Sequence, residues 1–218
     1  KTNDRTRDGS LRLLEESLRL LNTDHLDLWQ LHNVARMQQV EQIFAPGGAI
    51  EALTQARDQQ LVRFLGVSGH ADPAVLIAML ERFPFDTILL ALNAADRHHL
   101  SFGEQLLPLA VERQMGIIGM KIPARSRILS TWTPPPVDSQ PPTQRVTQPG
   151  TITMREAMYY TLSLSVSTVI IGCDSVAQVE ENVALARAFT PLSEAQLGSL
   201  AARTEPIARQ ALFFRSWA

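Results

Sequence analysis

The sequence predicts an α/β fold built on a parallel sheet. Three observations carry that expectation. Five short apolar runs, "LDLWQLH" (26–32), "RFLGVSG" (63–69), "TILLALN" (87–93), "GIIGMK" (116–121) and "TVIIGC" (168–173), are continuous rather than alternating. Strands buried on both faces of a parallel sheet read in this way. Helix-like segments separate the runs, which is the strand–helix alternation of right-handed crossovers. Finally, polar residues stand at the C-terminal end of one run after another: His32, Ser68, Asn93 and Lys121. A parallel barrel carries its chemistry on that rim. An open doubly wound sheet is the first alternative, but its usual G-x-G-x-x-G after the first strand is absent.

The helices are expected from spacing and caps. In "LRLLEESLRLL", Leu11, Leu14, Leu18 and Leu21 keep helical spacing behind Ser10 as the expected cap. "HADPAVLIAMLERF" offers Asp72 as cap and Pro73 at the first helical position. Capping boxes are expected at Thr153 with Glu156 and at Ser175 with Gln178. A last helix begins after Ser193, and the tail "ARQALFFRSWA" is apolar enough to dock. The stretch 133–150 holds six of the thirteen prolines and almost nothing apolar. The helix–strand–helix unit beyond it is too small to be a domain, so the stretch reads as a long loop overhanging the rim.

Composition narrows the function classes. The 218 residues can bury one sizeable core, and 45% hydrophobic with 19% charged residues is ordinary for a globular domain. A net charge of -2 with interspersed signs leaves no basic face for nucleic acid. No apolar run approaches the ~20 residues of a membrane span. The lone Cys173 excludes an internal disulfide and a cysteine-rich metal site, which fits a reducing, cytoplasmic setting. His70, His98 and His99 read as solvated loop histidines, since no set of ligands has metal-site spacing. The opening "KTNDRTRDGS" has neither an initiator methionine nor a signal-peptide core, so an N-terminal part is expected to be missing.

At four places in order the chain resembles the aldo-keto reductase family. "LEESLRLLNTDHLDLWQLHNV" looks like the leucine-rich helix and strand that lead to that family's active-site histidine. "LVRFLGVSGH" and "TILLALN" are similar to the strands whose final serine and amide side chains hold the nicotinamide carboxamide. "STVIIGCDSVAQVEENVALA" resembles the last strand and helix, where the adenosine end of the cofactor lies. The resemblance implies a (β/α)8 barrel of which residues 1–218 supply about five βα units, as one N-terminally incomplete domain. It implies hydride transfer between NADP(H), or NAD(H), and a small-molecule carbonyl or alcohol.

Carried over residue by residue, the resemblance assigns catalytic parts to Lys1, which stands 31 residues before His32, and to His32 itself. Cofactor contacts fall on Ser68, Asn93, Met120, Lys121, Gly172, Gln178, Glu181 and Asn182. The chemistry suits these residue types. A lysine cation lowers the pKa of a tyrosine acid, and an imidazole can donate to a substrate carbonyl. Serine and asparagine can both donate to and accept from a carboxamide, although either could instead cap a strand end.

Departures qualify the match. The family's aspartate and tyrosine lie upstream of Lys1, and the two tyrosines present, Tyr159 and Tyr160, sit inside a helical pattern. The chain alone is therefore not expected to be competent. A non-catalytic, nucleotide-binding relative is the alternative. An unrelated barrel hydrolase using Asp24 or Asp27 ranks lower, because Asp27 belongs to the lead-in of its strand. Met120 replaces an aromatic, Gly69 and His70 come after Ser68 where an asparagine is common, and Gln178 replaces an arginine. No lysine or arginine occurs between Arg155 and Arg187, where the family finds charge for a 2'-phosphate; Arg125 and Arg127 in the neighbouring loop could supply it instead. Trp29, Asn33 and the proline-rich loop would shape the substrate pocket.

Overall fold

The apolar runs do form parallel strands. The computed structural model describes residues 1–141 and 145–217; the central part of the proline-rich loop, 142–144, lies outside them. Strands β1 (Leu26–Leu31), β2 (Val62–Gly69), β3 (Thr87–Ala91), β4 (Gly116–Met120) and β5 (Thr168–Val169) make one sheet in chain order. Every neighbouring pair is parallel. The sheet is an open arc of five strands, a part of a (β/α)8 barrel, with helices between successive strands. The register sets the rim: Leu31 pairs with Val67, Leu90 with Gly119, and Ala91 with Met120, so the strand ends line up.

Two element readings need correction. Helix α1 (Arg7–Leu21) begins before Ser10; its cap is Thr6, whose side chain accepts from the Gly9 amide. Ser10 is buried inside the helix, its hydroxyl donating to the Asp4 carbonyl at 3.2 Å. The first turn is polar and so carries no apolar periodicity. The run 168–173 yields only the two residues of β5. That strand pairs with β4 alone, and the ladder ends one bond further on, where the Ile170 amide donates to Gly119.

Elsewhere the expected caps form, and only the box at Ser175 is incomplete. Asp72 caps α4 (Pro73–Arg82), with Pro73 where its missing N–H costs nothing. The box of Thr153 with Glu156 opens α7 (Met154–Leu162). At α8 (Val176–Arg187) Ser175 caps the Gln178 amide, but the Gln178 side chain turns back to the Asp174 amide instead. Ser193 caps α9 (Glu194–Thr204), and a short α10 (Ala208–Ala211) leads into the tail.

The core lies between the strands and the helices α3 (Ala49–Asp58) and α4. Trp29, Leu31, Leu53, Leu65, Leu76 and Ile88 are fully buried there, each contributing about 1.5–3 kcal/mol. A second cluster joins Ile122 and Ile128 to Ile152, Leu200, Ile207, Leu212 and Phe214. It fixes the loop after β4 and the tail against each other at the C-terminal ends of β3 and β4. Among the described residues, no helix is long and apolar enough to cross a membrane.

Candidate active site

The rim is built outward from β1. Thr2 forms a parallel bridge with Leu31; its amide donates to the Gln30 carbonyl at 3.0 Å and its carbonyl accepts from the His32 amide at 2.7 Å. That ladder continues the sheet beyond β1 and brings Lys1 to the strand end, near enough for its charge to act on His32. Partial burial holds the Lys1 ammonium below its usual range. His32, exposed at the strand end, is also held low, first by partial desolvation and then by the charges of Lys1 and Arg5. At neutral pH its imidazole is neutral and has one N–H to donate.

Arg5, which the sequence did not single out, clasps this turn. Its Nη2 donates to the carbonyls of His32 at 2.8 Å and Asn33 at 3.0 Å, while its buried Nε and Nη1 have no partner among the described residues. Asn33 takes a left-handed φ of 52°, which a polar residue tolerates best. Its buried side-chain Oδ1 is likewise without a donor. Ser68 lies beneath, its hydroxyl donating to the Leu31 carbonyl and accepting from the Asn33 amide, each at 3.0 Å. A Cβ on Gly69 would stand 2.7 Å from the Val34 carbonyl and against Leu76, so the asparagine common at this place has no room.

Asn93 plays a matching part further along. It is fully buried; Nδ2 donates to the Lys121 carbonyl at 3.2 Å and Oδ1 accepts from the Ala95 amide at 3.0 Å. Thus both polar strand ends tie adjacent loops to the sheet. Met120 is half-buried beside Ala91. Lys121 turns with φ 63°, its pKa lowered first by burial and then by Arg125. Ala124, Arg125 and Ser126 continue in the left-handed region, at 50°, 53° and 67°.

The remaining expected contacts gather elsewhere, around the start of α8. Gly172 faces open space. Gln178 is engaged by the Asp174 amide at 2.7 Å, and Asn182 Nδ2 donates to Cys173 Sγ at 3.2 Å. Glu181 is exposed. Among the described residues, no hydrogen bond joins this group to the rim.

The tail is the element that the sequence underspecified. Arg215 is buried against Asp96 and also donates to the carbonyls of Ala91 at 3.2 Å and His70 at 3.4 Å. Asp96 further accepts from Ser101 Oγ at 2.7 Å and from the amides of Phe102 and Gly103. The three histidines read as solvated are half-buried latches on the C-terminal segment. His70 Nδ1 lies 3.3 Å from the Phe214 carbonyl, His98 Nε2 2.8 Å from that of Ala201, and His99 Nε2 2.6 Å from that of Ser216. His99 also stacks on Trp217 at 3.8 Å. Tyr159 and Tyr160 are buried in α7, away from strand ends. Burial, reinforced by Asp96, pushes Tyr160 up to about 12, the wrong direction for a proton donor.

Comparison with known proteins agrees with this architecture. The aldo/keto reductase family profile matches residues 2–204. The chain is 25% identical over 210 residues to L-galactose dehydrogenase of Arabidopsis thaliana, covering 89% of this chain and 63% of that protein. It is 22% identical over 213 residues to the uncharacterized oxidoreductase YqkF of Bacillus subtilis, covering 88% and 64%. It thus spans less than two thirds of the length of these curated relatives. Among solved structures, the aldo-keto reductase AKR11C1 from Bacillus halodurans in its holo form superposes with a TM-score of 0.67 at 23% identity, covering 90% of this chain and 68% of that one. The aldo-keto reductase from Klebsiella pneumoniae in complex with NADPH gives 0.64 at 18% identity, covering 92% and 66%. Strand order, rim and profile together place the chain in the aldo/keto reductase family.

Proposed function

We propose that the protein is an oxidoreductase acting on a small aldehyde or ketone, or the corresponding alcohol, with NADPH as cofactor and NADH tolerated. The observation that supports this reading is the Thr2–Leu31 bridge, which brings Lys1 to the end of β1 where its charge acts on His32. An unpaired acceptor suits the amide N–H of a nicotinamide carboxamide: Asn33 Oδ1 is buried and, among the described residues, without a donor, on the residue whose backbone amide bonds Ser68, and half-buried Met120 offers a polarizable face. When bound, the dinucleotide supplies the hydride.

The chain's own residues would do the rest. Ser68, Asn93, Met120 and Lys121 hold the nicotinamide end, and Gly172, Gln178, Glu181 and Asn182 the adenosine end. His32 orients the carbonyl through its N–H, and Lys1 lowers the pKa of a neighbouring proton donor. Neither Tyr159 nor Tyr160 can be that donor, so residues 1–218 alone are expected to bind dinucleotide and turn over slowly or not at all. The second reading is a relative that keeps the nucleotide site without the chemistry.

Two measurements separate these readings. Titration of NADPH and NADH against the intrinsic fluorescence of the folded chain should saturate; a flat response with both sinks the nucleotide site. In a form that also carries the family's tyrosine, His32→Ala should lower the aldehyde reduction rate about 10²–10³-fold with little change in cofactor affinity. Dinucleotide binding without turnover in that form would establish the non-catalytic relative.

A further inference from the structure

Between the loop after β4, residues 145–148 and α10 with its tail lies a cavity of about 510 Å³. Its wall carries Arg127, Arg145, Arg209 and Arg215 together with Phe213 and Trp217; among the described residues, no Asp or Glu lines it. Arg215 is paired with Asp96, yet among the described residues its buried Nε has no partner. Arg127, Arg145 and Arg209 enter none of the salt bridges among the described residues. Arg127 lies 4.3 Å from the Phe213 ring centre and Arg209 5.3 Å from that of Trp217. Arg125 adds a further cation 5.5 Å from Phe213.

This concentration of positive charge is not general basicity, since the whole chain carries a net charge of -2. Burial first, and then Arg125, holds the Arg127 pKa below its usual range, the mark of a cation lacking a counter-charge. The walls are also fixed in place. Gln210 Nε2 donates to the carbonyls of Arg127 and Gln148, each at 3.0 Å, tying the loop to α10. A preformed cationic cavity recovers its self-repulsion when an anion enters and loses little entropy on binding.

We propose that this cavity binds a small-molecule phosphate monoester, held by the guanidinium forks of Arg127, Arg145 and Arg209, with its organic part against the apolar lining of Val146 and Pro206. Guanidinium forks grip phosphate bidentately, and three uncompensated cations match a dianion better than a monocarboxylate. The volume falls within the ~300–1,000 Å³ of small-molecule sites. The site lies beside the rim, which Arg215 touches, and it gives Arg127, offered by the sequence for a 2'-phosphate, to the monoester instead. None of Lys1, His32, Ser68, Asn93, Met120 or Lys121 lines it, and the consecutive Phe213 and Phe214 have different partners. Phe213 meets Arg125 and Arg127, whereas Phe214 meets His70 and Lys121.

Isothermal titration of the full chain with phenyl phosphate, inorganic phosphate and malonate tests the assignment. Phenyl phosphate should saturate one site, more tightly than inorganic phosphate, and weaken as salt rises. Arg127→Ala with Arg209→Ala should weaken it at least tenfold. Saturating NADPH should leave it unchanged. Arg209→Lys, which keeps the charge and the exposed position, serves if the double variant fails to fold; losing the fork alone should still weaken binding several-fold. No saturable binding of phenyl phosphate, equal affinity in the variants, malonate bound as tightly, or displacement by NADPH would each overturn the proposal. Displacement would transfer the arginines to the dinucleotide site, whereas failure of NADPH to bind at all would leave this proposal standing.

Discussion

The Asn33 amide donates to Ser68 Oγ at 3.0 Å, so a side chain from the end of β2 holds the chain as it leaves β1 and turns past His32. The same hydroxyl donates to the Leu31 carbonyl. Ser68→Ala leaves two buried backbone groups without their partner, and should cost about 1–3 kcal/mol. Urea unfolding followed by circular dichroism measures this. A midpoint equal to the parent's would show that the turn keeps its shape without Ser68.

The buried pair of Asp96 and Arg215 makes the tail part of the fold. Arg215 also reaches the carbonyls of Ala91 and His70, so its loss removes the link between the ends of β2 and β3. Arg215→Met should destabilise by about 3–5 kcal/mol, because Asp96 is left buried and uncompensated. Burial already pushes the Asp96 carboxyl above its usual range, opposed by Arg215 and by donors from Ser101, Gly103 and Phe102. Asp96→Asn in the Arg215→Met background should recover part of the loss in thermal unfolding. No recovery would mean that the uncompensated charge is not the cause.

Stability should fall on mild acidification. Burial holds His70 below 6.5, and the charges of Lys121 and Arg215 act the same way against a small opposing pull from the Phe214 carbonyl. The native ring is then neutral where the unfolded chain has already taken up its proton. The contribution is therefore complete above pH 6.5 and is lost as pH falls from 6.5 toward the native value. His32 has the same sign. The exposed His25, raised chiefly by its bond to Asp24, has the opposite one, contributing at low pH and losing its part as pH rises. Unfolding midpoints at about pH 7.5 and 5.5, on either side of the ordinary histidine range, should differ less in His70→Gln than in the parent. An unchanged difference would remove His70 from the account.

The sequence makes the rim legible because each polar group there ends an apolar run. His32, Ser68, Asn93 and Lys121 can be placed by counting along single strands, and their positions need only the parallel register. Arg5, Asp96 and Arg215 obey no such local rule. Asp96 and Arg215 are 119 residues apart and meet only once the tail has docked. The histidines mislead for the same reason: His98 and His99 look like loop residues until the C-terminal carbonyls arrive. Ser10 is a fair cap by type, but Thr6 stands a turn earlier and Ser10 has partners in Thr2 and Asp4.

The alternation of Phe213, Phe214 and Arg215 also makes the tail intolerant of a change in length. These three consecutive side chains go to the arginine cavity, to His70 with Lys121, and to Asp96. Deleting a single residue just before them would advance each by one place. Phe214 would then replace Phe213 with little harm, but a guanidinium would arrive beside Lys121 and a serine would face the buried aspartate. A substitution that keeps the frame alters one set of contacts, whereas one inserted or deleted codon dismantles three together.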